Sequence, residues 1–68
     1  MTVKNVLEKV YCSEKCTPVL VYNNAHKDHT SFEYGDFLDG IVHPNYLNEE
    51  VESWKQGLNH GVVSIILK

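Results

Sequence analysis

Sixty-eight residues, 43% apolar and 22% charged, describe one small globular domain over 1–68, with no linker, repeat or low-complexity segment. Its six lysines are scattered at 4, 9, 15, 27, 55 and 68, it has no arginine, and its net charge is −3, so it lacks the concentrated basic stripe that direct nucleic-acid binding requires. The longest apolar runs, Val19-Leu20-Val21-Tyr22 and Ile65-Ile66-Leu67, fall far short of a membrane span, and the first ten residues hold no signal-peptide core, which predicts a soluble, cytoplasmic protein with its cysteines reduced.

Val3, Val6, Leu7, Val10 and Tyr11 are spaced i, i+3, i+4, i+7 and i+8, which predicts an amphipathic helix over 2–12. Lys4, Asn5, Glu8 and Lys9 take its polar face, and Thr2 is the expected N-cap. Pro18 blocks any continuation and opens a short strand over 18–22 that ends at Asn23-Asn24. A loop is expected over 23–30. A second strand is expected over 31–38, with Phe32, Tyr34 and Leu38 in alternation and Gly35 marking a bulge or a close backbone approach. Asp39-Gly40 and His43-Pro44-Asn45 read as turns. The block 46–56 reads two ways, as one helical turn capped by Asn48 or as a strand over 51–56. A two-glycine turn over 57–61 leads to a final strand over 62–67, apolar on both faces and therefore central in the sheet.

The order is helix followed by four strands, with connections too short for parallel crossovers. The expected fold is α+β: an N-terminal helix packed on a four-stranded antiparallel sheet, either open or curled into a partly closed SH3-like barrel.

The segment Tyr46-Leu47-Asn48-Glu49-Glu50-Val51-Glu52-Ser53, followed by Gly57, Asn59 and Val63-Ser64-Ile65-Ile66, resembles a C-terminal pattern in small uncharacterised proteins of Gram-positive phages and mobile elements. In those proteins a short helix and two strands precede a segment that turns into a last apolar strand. The resemblance covers the last third of the chain and implies a fold and a genomic setting, with no activity attached.

The one grouping with metal-ligand chemistry is Cys12, Cys16, His26 and His29, in the pattern C-x3-C-x9-H-x2-H. Two thiolates and two imidazoles make a standard zinc set, but the histidine step is shorter than the usual three to five intervening residues. Against zinc stands a simpler expectation: Cys12 packed as a small hydrophobe at the helix end, Cys16 in the connector, and two solvated histidines. A cysteine nucleophile would need a nearby oriented histidine, and Lys15 would lower the Cys16 pKa only slightly, so no catalytic role is expected. Glu33, Asp36, Asp39 and Gly40 lack the ligand spacing of a calcium loop and read as a charged strand edge.

The aromatic residues complete the set of candidates. Two readings stand for them: Phe32, Tyr34 and Trp54 are needed in the core of so short a chain, or strict alternation from an inward Val51 carries Ser53 inward and Trp54 outward beside Glu52, where an exposed Trp favours a binding surface. The sequence thus points to a small non-enzymatic protein-interaction or accessory protein without a cofactor. It would act on a protein partner or as a homo-oligomer, with Trp54, Phe37 and Tyr34 as contacts. The alternative is a zinc-stabilised module built on the four Cys and His residues.

Overall fold

In the computed structural model, which describes residues 1–10, 14–23, 28–58 and 61–68, the N-terminal apolar stripe folds as helix α1 (Val3–Lys9). Its start is set by a reciprocal cap. The Thr2 hydroxyl accepts from the Asn5 N–H at 3.3 Å, and Asn5 Oδ1 accepts from the Thr2 N–H at 3.0 Å. The helix is shorter than expected. Val10 has already turned extended (φ −71°, ψ 150°), although it stays in the core with Val3, Val6 and Leu7. Tyr11 and Cys12 lie outside the described residues.

Strands β1 (Pro18–Asn23), β2 (Asp28–Glu33), β3 (Val51–Gln56) and β4 (Val63–Leu67) form one sheet in the order β2-β1-β4-β3. β1 with β2 and β3 with β4 are antiparallel, as expected of consecutive strands, but β1 and β4 meet in parallel at the centre. The sheet is therefore mixed, which corrects the all-antiparallel expectation. The short loops determine pairing only within each hairpin. Residues 34–50 carry the chain from the end of β2 to the far edge, so the two hairpins join through inner strands that run the same way. β2 and β3 remain as the two edges, and the sheet is open rather than an SH3-like barrel.

The crossover holds two short helices where strand and turn were expected. α2 (Tyr34–Leu38) replaces the second half of the predicted 31–38 strand. Asp36 Oδ2 accepts from the Glu33 N–H at 3.2 Å, and the first two helical amides donate to the preceding connector, Tyr34 N–H to Thr17 O at 2.9 Å and Gly35 N–H to Lys15 O at 2.7 Å. These amides find partners across the fold that a strand would have needed along a ladder. Gly35 does mark a close approach: a Cβ there would sit 2.9 Å from Lys15 Cβ. α3 (Pro44–Leu47) places the helical turn before Asn48 rather than after it, with proline at its start and His43 Nδ1 accepting from the Asn45 N–H at 3.1 Å. Segment 51–56 is then free to be a strand.

α1, α2 and α3 pack on one face of the sheet. Val19, Val21, Val51, Val63, Ile65 and Leu67 meet the buried side of α1 there, and Phe32, Tyr34, Phe37, Tyr46, Leu47 and Trp54 close around that core. No helix among the described residues is long and apolar enough to cross a membrane.

Candidate functional site

Because strand side chains alternate, packing α1, α2 and α3 on one face leaves the other face without a helix among the described residues. Direct pairing aligns Ser31, Leu20, Ser64 and Lys55 in one cross-strand row, and His29, Tyr22, Ile66 and Ser53 in the next. Leu20 and Ile66 are half-buried, Tyr22 is 41% exposed, and the Tyr22 and His29 rings lie 5.7 Å apart. None of these eight positions holds a carboxylate, although the chain carries nine. The result is a nearly neutral strip, apolar along Leu20, Tyr22 and Ile66, on an otherwise acidic protein, with the exposed Glu33, opposite Pro18 on the same face, at its margin.

Trp54 does not lie on that strip. The β3–β4 register shifts between Val51 and Ser53, so Glu52 forms a bulge. The extra residue puts Val51 opposite Leu67 and Trp54 opposite Ile65, both on the core face, and turns Ser53 outward. The outward Trp54 expected from strict alternation is thereby overturned, and its half-buried ring packs on the core. Tyr34 and Phe37 share α2, with ring centroids 5.8 Å apart, and also pack against the core. The Tyr34 hydroxyl donates to Leu7 O at 3.4 Å, in the last turn of α1. These two aromatics lie in the crossover beyond β2, whereas Trp54 is on the opposite edge strand.

Of the four candidate zinc ligands, Cys12 and His26 fall outside the described residues. Cys16 precedes Pro18 at the start of β1, while His29 pairs with Tyr22 near its end. At about 3.3 Å per residue, Pro18 and Tyr22 alone are about 13 Å apart. A zinc ion holds its ligand atoms within about 4 Å of one another, so the hairpin does not bring these two residues together. Among the described residues, no group of three or more His, Cys, Asp or Glu side chains is placed to hold a metal ion. Glu33, Asp36 and Asp39 run from the end of β2 through α2 rather than along a strand edge.

Cys16 is exposed, and Glu14 rather than Lys15 governs its chemistry. The thiol donates to Glu14 Oε2 at 3.4 Å, and this hydrogen bond, reinforced by the Glu14 charge, pushes the thiol pKa above its ordinary value. A raised pKa leaves less thiolate at any given pH, so alkylation by iodoacetamide near neutral pH should be slower than for an unstructured cysteine peptide. Glu14→Gln should move the rate–pH curve towards lower pH, read by mass mapping of the Cys16 peptide. A curve that stays in place would remove Glu14 as the cause.

Leu20, Tyr22 and Ile66 were not singled out in the sequence, although both apolar runs contain them. The available signal was the number of helices, since the single helix predicted there cannot cover two faces of a four-stranded sheet. No family model, no curated protein and no solved structure matches this chain, so the functional conclusion rests on this geometry.

Proposed function

We propose that the chain is a small non-enzymatic interaction domain that pairs with a second copy of itself through the uncovered sheet face, as an accessory factor of a phage or mobile element. The observation that carries the pairing is the carboxylate-free strip of Leu20, Tyr22 and Ile66. Two chains of charge −3 repel, and along this strip their sheets can meet with the nearest carboxylates, Glu33 opposite Pro18 and the bulged Glu52, at its margin rather than across it. A chain of this length has a thin stability margin, which burial of a second face would widen. The genomic setting is supported by the resemblance in the last third of the sequence.

Area sets the expected strength. Four strands about 4.8 Å apart and about 16 Å long give roughly 300 Å² a side, well under the roughly 800 Å² per partner of a standard interface. The dimer should be weak and visible only at high concentration. Sedimentation equilibrium from low micromolar to near-millimolar protein should show the mass rising from monomer towards dimer. Tyr22→Asp and Ile66→Lys should each hold the chain monomeric, with an unchanged far-ultraviolet spectrum. A wild-type chain that stays monomeric throughout, or variants that dimerise as readily as it does, would overturn the reading.

A further inference from the structure

On the helix-bearing side, beside the β2 edge, the crossover leaves an open recess of about 290 Å³ walled by Phe32, Ile41, Val42 and Tyr46, with Asp36 and His43 also lining it. Phe32 and Tyr46 meet edge to face, centroids 6.2 Å apart and planes at 80°, and Ile41 is 69% exposed. The turn that carries Ile41 is held by Gly40 at φ 75° and by the Ile41 N–H donating to Asp36 O at 2.9 Å. An exposed isoleucine beside two partly buried rings, on a wall that includes one carboxylate, suits a ligand with an apolar stem and a positive end.

We propose that this recess receives an arginine side chain of a partner polypeptide, its stem and flat guanidinium against Phe32, Tyr46 and Ile41 and its charge paired with Asp36. Among the described residues that line it Asp36 carries the formal charge, and its carboxylate has acceptor capacity beyond the Glu33 N–H. His43 Nδ1 already accepts from the Asn45 N–H, which assigns the ring proton to Nε2. The neutral imidazole can then donate to a carbonyl of the incoming backbone. Arginine is favoured over lysine because a planar guanidinium stacks on aromatic rings while it hydrogen-bonds a carboxylate. No arginine occurs in these 68 residues, so the arginine comes from outside them and not from the second copy of them proposed for the opposite face. The two sites are independent.

The probe is a single capped residue, N-acetyl-arginine N-methylamide, titrated into the ¹⁵N-labelled chain and followed by amide chemical shifts. Shifts should concentrate at Phe32, Ile41, Val42, His43 and Tyr46. Capped citrulline, of the same shape without the charge, should bind about threefold or more weakly, as should Asp36→Asn with the arginine probe. Asparagine keeps an acceptor for the Glu33 N–H, so α2 should still start. Ile41→Ser, at an exposed position, should also weaken binding and decides the matter should Asp36→Asn fail to fold. Shifts that are absent or spread over the whole chain, citrulline binding as well as arginine, or both variants binding like the wild type would each overturn the proposal.

Discussion

Ile65→Ala is expected to remove roughly half of the chain's stability in dilute buffer. Ile65 is fully buried on the central strand β4, paired with Val21 on one side and Trp54 on the other, and in one core with the buried face of α1. Truncating a buried isoleucine costs about 2–5 kcal/mol, the lost transfer energy plus the cavity left behind. At about 0.05–0.15 kcal/mol per residue, a chain of this length has only about 3–10 kcal/mol in total. The control is the neighbouring residue. Ile66 points to the opposite face and is half-buried, so Ile66→Ala should cost under about 1 kcal/mol in the monomer. Urea unfolding at low micromolar protein reads both variants. Trp54 fluorescence serves as the probe, because the indole sits directly opposite residue 65. Equal losses at 65 and 66 would mean that both faces of the sheet are buried, and the interaction strip would fall with that result.

The contrast between 65 and 66 also separates what was legible in the sequence from what was not. Elements that depend on local periodicity were readable. The stripe Val3, Val6, Leu7 and Val10 is a helix face, and the runs at 18–22 and 62–67 are strands. Features that depend on distant partners were not. Phe32 and Tyr34 alternate like a strand, yet the chain turns helical between them because Tyr34 and Gly35 find carbonyl partners on Thr17 and Lys15. The parallel pairing of β1 with β4 depends on where the crossover delivers the second hairpin, which no hairpin loop encodes. Trp54 was misplaced by one residue: the bulge at Glu52 shifts the register, and a one-residue shift exchanges the two faces. The candidate site was hidden by the same logic, because Leu20 and Ile66 look like core until the helices are seen to occupy only one side.

Gly35→Ala is expected to destabilise the fold by about 1–2 kcal/mol, a fall of roughly 4–16 °C in Tm. Two effects oppose each other here. Gly35 lies in α2 without a positive φ, so alanine should gain up to about 1 kcal/mol from helix propensity. The new Cβ, however, would sit 2.9 Å from Lys15 Cβ and 3.1 Å from Lys15 O. Neither atom can move by a rotamer change, since one is the carbonyl and the other is fixed directly to the backbone. Gly35 N–H already holds that same carbonyl at 2.7 Å, so relieving the clash stretches a short hydrogen bond. The steric cost wins. Lys15→Gly in the Gly35→Ala background removes the nearer contact and should recover part of the loss, whereas Gly40→Ala, with nothing within 4 Å but φ at +75°, should show only a conformational penalty of about 1–2 kcal/mol that Lys15→Gly does not relieve. Asp36 follows Gly35 in the same helix, so a displaced α2 should also weaken binding of the arginine probe. An unchanged or higher melting temperature for Gly35→Ala would show that the connector and α2 are not held at the observed distance, and the wall that places Asp36 beside Phe32 would lose its support.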